Sequence, residues 1–180
     1  MHALHTAVGI TWAVFWIYWL GSALRAKESV RGGRRIPLTG ATALAVFVLV
    51  RVFRGGSLAV HSPVLGAIGA VVLVSGLALA VWARVHLGRN WGMPMTQRAE
   101  PELVTSGPYR FVRHPIYSGL ILGVVGTALA TDLLGLIIAV VLGAYFYYCA
   151  WVEEKNLVAT FPTAYPTYRH ATKMLIPFVL

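Results

Sequence analysis

Two short clusters hold most of the chemically capable side chains of this chain. The first, Arg113-His114-Pro115-Ile116-Tyr117, stands directly before an apolar run and follows a Ser106-Gly107-Pro108-Tyr109 turn. The second, Glu153-Glu154, closes the next apolar run. Pro115 suits the first turn of a helix, where its missing N–H is no loss. His114 then stands near the N-cap and Tyr117 within the first turn. Backbone donors and the positive end of the helix dipole favour a carboxylate or phosphate there, and Arg110 and Arg113 add to that preference. The acids have the opposite preference. Two adjacent carboxylates at a helix end, where the dipole is already negative, require a cation. Lys155, an arginine from the loop between the runs, or a bound ammonium or sulfonium group would serve. Glu154 and His114 are the candidate proton acceptors, provided they come within hydrogen-bond reach of the reacting group. The plainer alternatives are that Arg113 and His114 anchor the chain at a membrane interface and that the glutamates form a solvated helix end.

The segment between residues 84 and 110 supplies further polar and aromatic groups: His86, Gly88, Asn90, Trp91, Gln97, Glu102 and Tyr109. Trp91, Tyr109 and Tyr117 are suited to a sulfonium or an adenine ring, through cation–π attraction or stacking. Their alternative role is the aromatic belt of a membrane protein, to which Trp12, Trp16, Tyr18, Trp19, Tyr145, Tyr147 and Tyr148 are assigned. No metal site is expected, and His2 and His5 are read as surface residues. The single cysteine, Cys149, excludes an internal disulfide. A Gly-rich phosphate loop and a nucleophile elbow are both missing from the sequence.

The elements that must position these groups follow from composition. Of the 180 residues, 58% are hydrophobic and 12% charged, against roughly 25% charged in a soluble domain. Five apolar runs occupy about residues 3–24, 36–53, 63–83, 115–131 and 133–152. Most approach the roughly 20 residues that cross a bilayer as a helix. The expectation is an all-α polytopic membrane protein of about five transmembrane helices, forming one domain over residues 1–180. Three spans lie in 1–83. A core follows in 84–180, with a C-terminal helical hairpin over 115–152 and a cytoplasmic pocket. The polar tail, 153–180, is expected to carry a short amphipathic helix on the membrane surface.

The net charge is +9, and its distribution indicates topology, not a nucleic-acid partner. Arg25, Lys27, Arg31, Arg34 and Arg35 follow the first run. Arg84, Arg89, Arg98, Arg110 and Arg113 lie between the third and fourth, and Lys155, Arg169 and Lys173 follow the fifth. These fall on one side if all five runs cross, leaving only Arg51 and Arg54 on the other. The bias argues for an N-terminus outside and a C-terminus and site in the cytoplasm, and the small size and the lack of an organelle-targeting pattern suit a bacterial plasma membrane. A cleaved signal peptide is disfavoured by the lack of a basic region before the first run.

Gly88-Arg89-Asn90-Trp91, Leu103-Val104-Thr105-Ser106-Gly107-Pro108-Tyr109 and Arg113-His114-Pro115-Ile116-Tyr117-Ser118-Gly119, followed by Glu153-Glu154, Phe161, Tyr165, Tyr168, Arg169 and Pro177, resemble the isoprenylcysteine carboxyl methyltransferase and phospholipid methyltransferase superfamily of integral membrane enzymes. The resemblance covers about residues 88–178. It implies an S-adenosylmethionine-dependent methyl transfer to a lipophilic acceptor in the bilayer. It implies a cofactor pocket lined by Pro101, Glu102, Leu103, Val104, Tyr109, His114, Pro115, Ile116 and Tyr117 and closed by Glu153, with Asn90 and Trp91 on the acceptor side. Cys149 departs from the family pattern, since the prenylcysteine methyltransferases carry an arginine there, matched to a substrate carboxylate. A headgroup amine or another small lipophilic group therefore fits better than a prenylcysteine carboxylate. Pro162 replaces a glycine common in the family. An NADPH-dependent reductase related to sterol reductases and a non-catalytic scaffold are the competing readings.

Overall fold

The computed structural model describes residues 2–23, 29–31, 58–91, 97–98 and 102–177. The second apolar run, Arg51 and Arg54, most of the basic stretch after the first run, and Pro101 lie outside the described residues. Five helices form the described part: α1 (His2–Ala23), α2 (Pro63–Leu87), α3 (Pro115–Ala130), α4 (Gly135–Thr160) and α5 (Ala164–Ala171). A two-stranded antiparallel ribbon joins Ser29–Arg31 to Gln97–Arg98. Among the described residues, the regular structure is otherwise helical. Among the described residues, α1, α2 and α4 are long and apolar enough to cross a membrane. The 16-residue α3 is apolar but shorter, about 24 Å at the helical rise.

Local sequence sets where these helices begin. Pro63 opens α2, and the Ser62 hydroxyl accepts from the Leu65 N–H at 3.3 Å, a side-chain N-cap. Pro115 opens α3 after His114.

Helices α2 and α3 form the closest pair, and small residues explain why. A methyl group built at Gly76 would lie 2.6 Å from the Gly123 nitrogen and 2.7 Å from the Gly119 carbonyl oxygen. One at Gly126 would collide with the Leu73 backbone, and one at Gly69 with that of Ala130. The two main chains therefore touch along most of their length. Such contact gains dispersion and loses little side-chain entropy in lipid, where a hydrophobic driving force between helices is missing. Helix α1 makes far fewer contacts with this pair. The Trp12 indole N–H donates to the Thr127 hydroxyl at 2.9 Å, and Trp12, Phe15, Trp16 and Trp19 form a ladder of ring contacts along its length.

At the end remote from His114, the Val60 N–H donates to the Thr131 carbonyl at 2.9 Å and the Leu133 N–H to the Leu58 carbonyl at 3.1 Å. These bonds tie the entry of α2 to the α3–α4 turn.

Three sequence expectations need correction. Helix α2 does not stop at residue 83; it runs to Leu87 and takes in Arg84 and His86. Arg84 is tolerated in a helix because two backbone carbonyls accept from its Nη1 and Nη2 inside the protein. Helix α4 likewise continues to Thr160, so Glu153 and Glu154 lie within it and not at its end. The pair is therefore not set against the terminal dipole, and its need for cations comes from burial. Trp19 is buried against Phe15 and Trp91, not placed in an interfacial belt.

Candidate active site at one end of the bundle

The start of α3 and the last turns of α4 meet at the same end of the molecule. His114 sits between the two acids: its Nδ1 lies 3.4 Å from Glu153 Oε2 and its Nε2 lies 3.5 Å from Glu154 Oε1. The Tyr117 hydroxyl donates to Glu153 Oε1 at 2.6 Å. The rings of His114, Tyr117 and Phe146 stack nearly parallel, with centroids 5.5 Å and 4.5 Å apart. That wall comes from α3 and α4 together. Of the expected site residues, His114, Pro115, Ile116, Tyr117, Glu153 and Glu154 are thus gathered in one place.

The two acids have different surroundings. Glu154 is enclosed: its side chain is 5% exposed and Arg113 Nε donates to its Oε1 at 2.7 Å, with Arg169 Nε 3.4 Å from its Oε2. Arg113 is itself held by the tail. Its Nη1 donates to the carbonyl oxygens of Arg169 and Thr172, and its backbone N–H to the Lys173 carbonyl at 2.8 Å. Arg113 is therefore the cation that the buried acid requires, and its donors are turned away from any anion at the helix start. Lys155, the nearer candidate in sequence, lies over the Trp151 ring at 3.3 Å instead. Glu153, whose side chain is 23% exposed, faces the more open side.

The His114 pKa is raised above its ordinary value. Complete burial works against the charged ring, but the neighbouring Glu153 and Glu154 carboxylates outweigh it. The imidazole ring is enclosed, and its Nε2, 3.5 Å from Glu154 Oε1, makes no well-formed hydrogen bond among the described residues.

The C-terminal tail completes this end. Phe161 and Pro162 follow α4, and α5 then docks with Tyr165 fully enclosed. The Tyr168 hydroxyl donates to the Tyr109 carbonyl at 2.6 Å and its pKa is pushed up to about 12, chiefly by burial. Beyond α5, residues 172–175 run beside residues 112–118. The His114 N–H donates to the Met174 carbonyl at 3.0 Å, and the Ser118 hydroxyl donates to that of Leu175. The expected amphipathic helix exists, but it packs on protein through Tyr165.

The remaining candidates lie close by. Tyr109 is buried in the turn over Gly107–Arg110. Gly107 adopts φ +58, and a methyl group there would collide with the His86 ring, so the turn needs glycine twice over. Val104 packs on the core that contains Tyr109 and Tyr117. Leu103 is half-buried. Asn90 Nδ2 donates to Glu102 Oε2 at 3.3 Å. Trp91 lies edge-on to Trp19 and under the Arg84 guanidinium, 4.6 Å from its ring centre.

Sequence reasoning counted Arg84 and Arg169 for topology and Tyr165 for the family pattern, but gave none of them a place at the site. It set Arg113 toward an anion at the helix start and also left a loop arginine open as the cation of the acids; the ion pair with Glu154 is the second of these. The signal for Arg113 was the need of a buried acid for a partner. No signal separated Arg113 from Lys155, because the tail segment at residues 169–173 makes the choice.

The profile of the phospholipid methyltransferase family matches residues 64–164. Among relatives, the chain is 31% identical over 115 residues to protein-S-isoprenylcysteine O-methyltransferase B of Arabidopsis thaliana, covering 62% of this chain and 58% of that protein. It is 39% identical over 71 residues to methanethiol S-methyltransferase of Crocosphaera subtropica, covering 39% of this chain and 28% of that one. It is 32% identical over 94 residues to the cobalt-zinc-cadmium resistance protein CzcN of Cupriavidus metallidurans, covering 51% and 43%. The chain thus spans about half the length of these relatives or less. The solved eukaryotic intramembrane Ras methyltransferase, isoprenylcysteine carboxyl methyltransferase, shares the fold, with a TM-score of 0.60 and 23% identity over 83% of this chain and 55% of that one. The profile match takes in α2, α3 and α4, which carry His114, Tyr117, Glu153 and Glu154, and the chain is a member of the phospholipid methyltransferase family.

Proposed function

We propose that this membrane protein transfers the methyl group of S-adenosylmethionine to a lipophilic acceptor held in the bilayer. The observation that carries the reading is the meeting of His114, Tyr117 and Glu153 at one end of the bundle, within the family-matched segment. The donor set fits such a cofactor. A half-open carboxylate on Glu153 suits an ammonium or sulfonium centre. A flat wall of His114, Tyr117 and Phe146 rings suits a nucleoside or a sulfonium face. His114 Nε2 is an enclosed polar atom with hydrogen-bonding capacity left. Glu102, Leu103, Val104, Tyr109, Pro115 and Ile116 would complete the cofactor side, together with Pro101.

When bound, the sulfonium supplies an electrophilic methyl carbon and a neutral thioether leaving group. The protein then has to align the acceptor with that carbon. Positioning of this kind accounts for most of the acceleration expected in a displacement that needs no covalent intermediate. An amine or thiol acceptor also releases a proton. Glu153 and His114 are placed to hold it, since Glu154 is committed to Arg113. We assign Glu154 to holding Arg113 and His114 in place. Cys149 is fully buried one turn before Glu153, so this position offers no cation to an acceptor carboxylate. Uncharged or cationic acceptors, such as a headgroup amine, are favoured. The positive-inside pattern supports a site on the cytoplasmic face of the membrane, and we assign that membrane to the plasma membrane.

The test is a pair of measurements on purified protein in detergent. S-adenosylhomocysteine at about 100 times its Kd should stabilise the fold by roughly 2.7 kcal/mol, and NADPH should not. Stabilisation by NADPH alone would support the reductase, and by neither the scaffold. Radiolabelled methyl donor added to membranes, followed by lipid extraction, then identifies the acceptor.

A further inference from the structure

Helix α1 lies outside the family-matched segment and is weakly attached to the bundle. One buried side chain fastens its last turn to the site end. Arg84, 4% exposed, donates through Nη2 to the Ser22 carbonyl of α1 at 2.6 Å and through Nη1 to the Gly88 carbonyl at 2.6 Å. The guanidinium lies over the Trp91 ring, which also meets the edge of Trp19 from α1. Gly88 sits at φ +54, so the turn that begins there leaves α2 along a path few residues adopt. That turn carries Asn90, which is bonded to Glu102, and Glu102 leads into the segment that ends at Tyr109. The charge of Arg84 also acts on the buried Tyr109 phenol.

We infer that Arg84 is a positioning residue for the active site: it locks the C-terminal end of α1 onto the turn that carries Asn90 and Trp91, and so makes the N-terminal helix part of the site's support. The inference rests on the proposed function, because it takes residues 88–91 and 102–109 as a wall of the cofactor and acceptor site. The physical basis is a difference in strength. Val8, Phe15 and Trp19 hold α1 on the core, but its main chain lies farther from the bundle than those of α2 and α3 lie from each other, whereas two short hydrogen bonds from a buried guanidinium are each stronger than a neutral bond. A splayed α1 end would release Trp19 from Trp91 and free the Gly88–Asn90 turn.

The experiment compares the full-length wild type with Arg84→Met, Arg84→Lys and Trp19→Leu in lipid nanodiscs. Amide hydrogen exchange is followed in peptides covering 88–91 and 102–110, with the α2–α3 glycine contact as internal reference. S-adenosylhomocysteine Kd is measured on the same samples. Arg84→Met should raise exchange in those two segments and at the last turn of α1, not along the α2–α3 contact, and weaken binding about tenfold, the scale of one charged hydrogen bond. Arg84→Lys should recover part of both, since an ammonium donates but does not stack. Trp19→Leu, which leaves α2 intact, should act in the same direction and serves if Arg84→Met does not fold. Unchanged exchange in 88–110, or a rise spread equally over α2 and α3, overturns the inference, as does raised local exchange with unchanged Kd. If the wild type binds no S-adenosylhomocysteine, the proposed function fails and the exchange data alone decide whether Arg84 fastens α1 to the turn.

Discussion

Glu154→Gln removes one charge from a nearly closed ion pair while keeping the side-chain volume. The Glu154 and Arg113 side chains are 5% and 8% exposed, with Nε and Oε1 2.7 Å apart. Breaking a buried pair by neutralising one partner costs about 3–5 kcal/mol, because the other charge stays buried. Arg113 retains the Arg169 and Thr172 carbonyls, which sets the expected loss near the lower limit, about 3 kcal/mol. For a chain of this size that is a drop of roughly 6–12 °C in Tm. The protein carries its own reporter. Cys149 is the only cysteine and is fully buried, so a thiol-reactive fluorophore reads unfolding directly in detergent. Arg113→Met alone should also destabilise, and the double variant should lose less than the sum of the two, by about 1–3 kcal/mol of coupling. A Glu154→Gln Tm within about 2 °C of wild type, less than 1 kcal/mol on the same scale, would refute the role given to the pair. Strictly additive single effects would refute it independently.

The raised His114 pKa carries a pH signature. A group that binds its proton more tightly when folded stabilises fully below its unfolded pKa, about 6.5 for histidine. That contribution is lost as pH rises through the folded value. Wild-type Tm should therefore fall as pH climbs above about 6.5, and His114→Gln should flatten that part of the profile. Tyr117→Phe removes the hydroxyl that donates to Glu153 at 2.6 Å and should lower stability by about 1.5–3 kcal/mol, the scale for bonds to charged groups; a Tm equal to wild type would exclude that bond. Gly126→Ala should destabilise by at least 1–3 kcal/mol through overpacking, because its methyl group meets the Leu73 backbone. Gly143→Ala, with open space around it, should be neutral or slightly stabilising; equal losses at the two positions would contradict the α2–α3 contact.

Much of the site was readable because proline and apolar runs mark helix starts locally. Pro63 and Pro115 open α2 and α3, and the short connection between residues 130 and 135 forces α3 and α4 to return together. That geometry alone brings His114 near Glu153. The limits also have a physical origin. Hydropathy stops where the lipid stops, so it ended α4 at residue 152, although the helix runs on to Thr160. Beyond the membrane the chain stays helical through local bonds and the docking of Tyr165. Arg84 looked like a loop residue because a charge at the end of an apolar run usually meets water. Here carbonyls from two separate elements replace that water, and their arrival is a tertiary event. Trp19 was assigned to the interface for the same reason: its partner Trp91 lies far along the chain.

The glycine seam between α2 and α3 has a consequence for how this scaffold can diversify. The gap between those two helices is set by main-chain atoms, which no side-chain exchange can widen or narrow by degrees. Under the proposed function, a new acceptor preference cannot be reached by retuning that seam. It has to arise in α1, in the lipid-facing part of α4, or in the tail, where side chains still govern the spacing.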